Sequence, residues 1–259
     1  MITDARGPNA VFKVPPGVNL VTGEGLGKIE VELPSEAHLH SGFGFKLSLA
    51  LGLLDVQDCF HRDRVPISLA RYFCWEPVPA KLVGLEGHWV EGKLLGPLDA
   101  VYPCAGSLCQ GFSWSLYFAQ RANERTARQT GSLRDAGILQ DRGEAPVFRP
   151  SSSPSKIYFY IYVDNIGVLC CCVGPVKRAV KQLKHLFKKV GLDLHGEEIN
   201  IGASKALGCC LDGKRLETRI DRDRMWKMHQ AIDGLLIMHR CSGRMLEVIT
   251  RPNGSSLCT

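Results

Sequence analysis

No apolar run in the 259 residues approaches the ~18 residues that a membrane span needs. The opening Met1-Ile2-Thr3-Asp4-Ala5-Arg6 also lacks the basic and then apolar layout of a signal peptide. Both absences predict a soluble protein of the cytoplasm or nucleus, with no membrane partner. The cysteines lack the paired C-x-x-C spacings that build zinc sites, and instead cluster as Cys170-Cys171-Cys172 and Cys209-Cys210. They are expected to be reduced core thiols. Acidic residues are missing from 177–189, where Lys177, Arg178, Lys181, Lys184, Lys188 and Lys189 are all basic. The net charge of +6 is therefore local, and such a stripe suits either a polyanion partner or a solvated helix face. No internal repeat is present.

What the chain does have is enough apolar content, 45%, to bury one large core or two small ones. Lys156 to Leu169 carries an aromatic and β-branched run that meets Asp164-Asn165 and then resumes, the pattern of two strands joined by a tight turn. Asp and Asn tolerate positive φ, so turn chemistry alone accounts for that pair. From Phe43 to Val56 runs a nearly continuous apolar stretch, Leu47 to Leu54 closed by a second carboxylate, Asp55, which reads as a strand covered on both faces or as a buried helical turn. A charge at the end of a buried strand is costly to desolvate unless it meets a cation or a proton. Asp58 reads equally as a helix N-terminal acid, and His61 as a packing or surface residue.

Elsewhere the first 28 residues are rich in turn formers, and Lys28 to Leu33 alternates as a half-buried strand. A helix is expected to open at Pro66. Cys104 to Ser115 leads into an amphipathic helix, with Gly111 letting the backbone approach a flat ligand and Gln110 beside it. Residues 124–155 turn polar and read as a long loop or insertion. Pro175 to Val190 predicts a helix with Val176, Val180, Leu183, Leu186 or Phe187 and Val190 on one face, and lysines on another. Arg222 to His239 predicts a second amphipathic helix through Met225, Met228, Ile232, Leu235 and Met238.

In this order the motifs resemble the reverse transcriptase domain of retroelements, the RNA-directed DNA polymerases. Asp55-Val56-Gln57-Asp58-Cys59-Phe60 resembles that family's first carboxylate motif, an Asp followed five positions later by an aromatic. Cys109-Gln110-Gly111 resembles its Leu-Pro-Gln-Gly motif, and Tyr162-Val163-Asp164-Asn165 its Tyr-x-Asp-Asp hairpin. Thr3-Asp4-Ala5-Arg6-Gly7-Pro8-Asn9 resembles a fingers segment, and Gly191-Leu192 and Leu207-Gly208 resemble later landmarks. Two departures stand out. Asn165 replaces the second Asp, and Leu108-Cys109 replaces the Leu-Pro pair.

The resemblance implies an α+β fold: a polymerase palm with an antiparallel sheet backed by helices, partial fingers at 1–42, a palm at 43–215, and the start of a connection or thumb at 216–259. It implies addition of deoxynucleoside triphosphates to a primer on an RNA or DNA template. Asp55 and Asp164 would hold Mg²⁺, or Mn²⁺ in its place, with Asn165 beside them as part of the catalytic set. Their carboxyl oxygens are expected within about 4–6 Å of each other. Phe60 would exclude a 2′ hydroxyl, Gln110, Gly111 and Arg6 would meet the nucleotide or template, and Tyr162 would support the primer end. The alternative is a truncated, catalytically inactive retroelement remnant that binds nucleic acid without polymerising. Oligomeric state is open at this stage.

Overall fold

A computed structural model describes residues 4–32, 48–149, 156–238 and 240–250. The Phe43–Leu47 part of the expected strand, Leu33 of the earlier one, Thr3 of the fingers-like segment and residues 150–155 lie outside them. In chain order the first half forms α1 (Arg6–Val11), α2 (Gly23–Gly27), β1 (Glu30–Val31), β2 (Ala50–Val56), α3 (Cys59–Arg62), α4 (Ile67–Ala70), β3 (Val78–Pro79), β4 (Trp89–Val90), β5 (Lys93–Leu94) and β6 (Ala100–Val101). There follow α5 (Ser115–Arg128), β7 (Gly137–Ile138), β8 (Val147–Phe148), β9 (Tyr158–Tyr162), β10 (Asn165–Cys170), α6 (Val173–Lys189), β11 (Leu194–Asn200), β12 (Ala203–Ala206), β13 (Cys209–Asp212), β14 (Glu217–Ile220), α7 (Arg222–Met238) and α8 (Gly243–Thr250). The fold is mixed α+β, with several separate sheets. Among the described residues no helix is long and apolar enough to cross a membrane.

The described chain divides into two compact units, residues 4–16 with 58–116, and residues 17–57 with 117–250. The second is built on a five-stranded sheet of order β11-β2-β10-β9-β7. Along its first four strands each is antiparallel to its neighbour, and β7 joins β9 in parallel. Because side chains alternate across a strand, the sheet has two distinct faces. On one, Gly52 lies beneath Val176 and Val180 of α6, so close that a methyl at position 52 would fall 2.8 Å from Val176. This is the face that α6 covers with Val176, Ala179, Val180, Leu183 and Phe187, all buried. On the other, Leu49, Leu51, Leu169, Tyr158 and Tyr160 form a core with Leu211 of β13. Gly167 sits opposite Tyr160 in register, where any side chain would run into the phenol ring.

Several sequence expectations change here. Leu186 is half-buried and Val190 is 50% exposed, so Phe187 alone closes the apolar face of α6. The polar segment after α5 holds β7 and β8, which pair with β9 and β1, because Ile138 and Phe148 find apolar partners across the chain. The expected amphipathic helix forms as α7, yet none of its residues is buried among the described residues.

In the first unit, Ala5, Phe73, Cys109 and Phe112 form a small core against Phe12, Leu69 and Trp114. Phe12 and Phe73 each meet Phe112 edge to face, with ring centroids 5.2 and 4.9 Å away. Cys74 and Cys104 face one another across an isolated antiparallel bridge and are joined as a disulfide. The expectation of reduced thiols throughout is thereby corrected for this pair. Cross-strand register, which cysteine spacing along the chain does not reveal, brings their Cα atoms to 4.0 Å.

Candidate carboxylate site

Strand register assembles the site in the larger unit. The antiparallel pairing of β2 with β10 sets Asp55 opposite Asn165, and the pairing with β11 sets it opposite His195. Asp164 lies in the two-residue turn between β9 and β10, and its carbonyl accepts the Val56 N–H at 2.8 Å. Asp55 and Asn165 occupy the sheet face away from α6, since they alternate with Leu54 and Ile166. A cavity of about 910 Å³, lined in part by Tyr162, Asn165, Arg219, Arg224 and Met225, opens beside the hairpin. A smaller one of about 220 Å³ reaches Asp55, Asn165, Glu198 and Lys205.

The charge of Asp164 is felt at Asp55. Partial burial raises the Asp55 pKa, the negative charge of Asp164 raises it further, and His195 opposes both. The His195 ring presents Nε2 to Asp55 Oδ2 at 3.2 Å. Tyr162 is pushed up as well, first by burial and then by Asp164. Asn165 donates its amide Nδ2 to Asp164 Oδ1 at 2.8 Å, so it meets the carboxylate as a hydrogen-bond donor.

Hairpin geometry is held from behind by α5. The positive φ at the turn falls on Val163, at 56°, and on neither Asp164 nor Asn165. That pattern is a type II′ turn, whose first central position prefers glycine. A β-branched residue there is strained by roughly 1–3 kcal/mol and persists only when its surroundings impose it. Two buried amides do so. Gln120 accepts the Val163 N–H at 2.8 Å and donates to the Ile161 carbonyl at 2.9 Å, while Asn123 donates to the Val163 carbonyl at 2.8 Å.

The remaining candidates belong to the smaller unit. Phe60 is half-buried on α3, directly after Asp58, which has φ of 50°. Gly111 has φ of 100°, which explains the glycine there, and Gln110 beside it is half-buried. Asn9 links two of the sequence motifs by donating to the Gly111 carbonyl and accepting the Ser113 N–H, both at 2.9 Å. Arg6 is exposed and engaged by Asp4, whose carboxyl it holds down at about 2.

Among the described residues no group of three His, Cys, Asp or Glu side chains converges as a metal cage. Mg²⁺ needs no such cage, since it commonly takes one or two carboxylates and fills its other positions with water and substrate phosphates. Two neighbouring carboxylates, with a cavity reaching Asp55, fit that donor chemistry. Sequence reading missed His195, Gln120 and Asn123. The one available signal was Gln120 and Asn123 at i, i+3 beside the buried Ala119 and Ala127 of a helix. No family model matches the chain, and no curated protein matches it.

Proposed function

We propose that the carboxylate site performs template-directed nucleotidyl transfer, the chemistry of a reverse transcriptase palm. The observation that carries this is the β2–β10 register, which sets Asp55 opposite Asn165 and so beside the turn that carries Asp164, whose negative charge raises the Asp55 pKa. Such a pair gains most from a divalent cation. When bound, Mg²⁺ or Mn²⁺ would activate the primer 3′ hydroxyl and neutralise the triphosphate. Asp55 and Asp164 would hold the cation, and the α5 amides fix the Val163 turn that carries Asp164. In the transfer, the 3′ oxygen bonds to the α-phosphorus, the bond to pyrophosphate breaks and the 3′ proton is released. Tyr162 supports the primer end from β9, with its ring on the cavity wall. By the resemblance alone, Phe60, Gln110, Gly111 and Arg6 of the smaller unit would serve the nucleotide and template.

The second reading is a catalytically inactive retroelement remnant that still binds nucleic acid, favoured by the Asn165 amide where a second carboxylate would add charge. Primer extension on RNA and DNA templates, with Mg²⁺ and then Mn²⁺, decides between them. Extension should occur and fall by at least about 100-fold in Asp55→Asn and in Asp164→Asn. Binding without extension under both metals would select the second reading.

A further inference from the structure

The outer face of α6 carries a row of charge that the fold itself does not use. Between residues 177 and 189 every exposed side chain is cationic or histidine: Lys177, Arg178, Lys181, His185, Lys188 and Lys189. The apolar residues of the same helix are turned inward, where β2, β10 and β11 cover them. Lys184 is the one lysine of the row engaged at home, paired with Glu197 at 2.7 Å. Among the described residues none of Lys177, Arg178, Lys181, Lys188 and Lys189 has an ion pair, and the first turn of α6 has no acidic residue.

We propose that this face is a second nucleic-acid contact, which holds the phosphate backbone of RNA or DNA on the side of the sheet opposite Asp55. Charge complementarity selects the occupant. Twelve residue steps at 1.5 Å give a basic row about 18 Å long. A duplex offers one phosphate charge per ~1.7 Å of its axis, so phosphates are dense enough to meet every cation in the row. An anionic membrane is the other polyanion to weigh. A helix that lies on lipid buries apolar residues from the contacting face, and here Val176, Ala179, Val180, Leu183 and Phe187 are buried on the opposite face, against the sheet. The surface is therefore electrostatic and indifferent to base sequence.

The test measures binding of short labelled DNA and RNA–DNA duplexes by anisotropy across a salt series. It compares the wild-type chain with the triple variant Lys177→Gln, Lys181→Gln, Lys188→Gln. The slope of log K against log salt should fall by about 2.7, so that over a roughly fourfold rise in salt the wild type loses about 40-fold more affinity than the variant. A control triple at other exposed cations, Lys81→Gln, Arg134→Gln, Arg142→Gln, should leave the slope where it was. An unchanged slope in the α6 variant, or an equal change in the control, overturns the proposal. Stronger binding to phosphatidylserine vesicles than to duplex overturns it in favour of a lipid surface. Asp55→Asn should keep the wild-type slope, so failure of the catalytic reading and failure of this one give different results.

Discussion

Asn165 shows how one amide sets the charge of the whole site. Its Nδ2 donates a hydrogen bond to Asp164 Oδ1 and adds no charge, so the site holds two carboxylates and not three. Asn165→Asp would exchange that donor for a third negative charge. With metal absent the variant should melt lower, because like charges then meet at the hairpin tip. With metal present it should reach half-maximal extension at a lower Mg²⁺ concentration, because a further hard oxygen joins the donor set. A Mg²⁺ titration of extension rate for both proteins checks this. If the variant requires no less metal than the parent, position 165 serves the turn alone. Asp55 and Asp164 were legible as charges that close apolar runs. His195 was not, because only the pairing of β11 with β2 brings it to Asp55 across 140 residues of chain.

At the scale of elements, the hairpin depends on a helix that the chain builds some forty residues earlier. Gln120 is 1% exposed and saturates one donor and one acceptor around Val163. Gln120→Leu keeps the size of the side chain and strands both backbone groups. That should cost about 2–4 kcal/mol, read in denaturant unfolding as a lower midpoint at unchanged slope. A loss under about 1 kcal/mol would mean that the turn holds its strained φ without the clamp. The strands β9 and β10 and the inner face of α6 could be read from the sequence, since their apolar spacing matches one regular period each. The turn could not. Asp and Asn carry the local preference for positive φ, yet tertiary hydrogen bonds impose it on Val163. For α7, the spacing of Met225, Met228 and Ile232 gave the helix correctly but not its burial, because periodicity says which residues share a face and nothing about what covers it.

Across the whole molecule, the two compact units differ in what holds them. The larger has a continuous sheet core, while the smaller relies on a few aromatic rings and the bridge between Cys74 and Cys104, 30 residues apart. Closing a loop of that size should contribute about 3–4 kcal/mol. Calorimetry with reductant, or of Cys74→Ser, should therefore lower one melting transition and leave a second unmoved. A single transition that does not shift would remove the bridge as a structural support. The strand order of the main sheet has a further consequence, in time. Asp55 and its register partner Asn165 are 110 residues apart, so β2 leaves the ribosome long before β10 exists to pair with it. At about 5–20 residues per second that interval is roughly 5–20 s. Throughout it Ala50–Val56 is an apolar strand with both edges unpaired, which makes the carrier of the candidate site the segment most in need of a chaperone during synthesis.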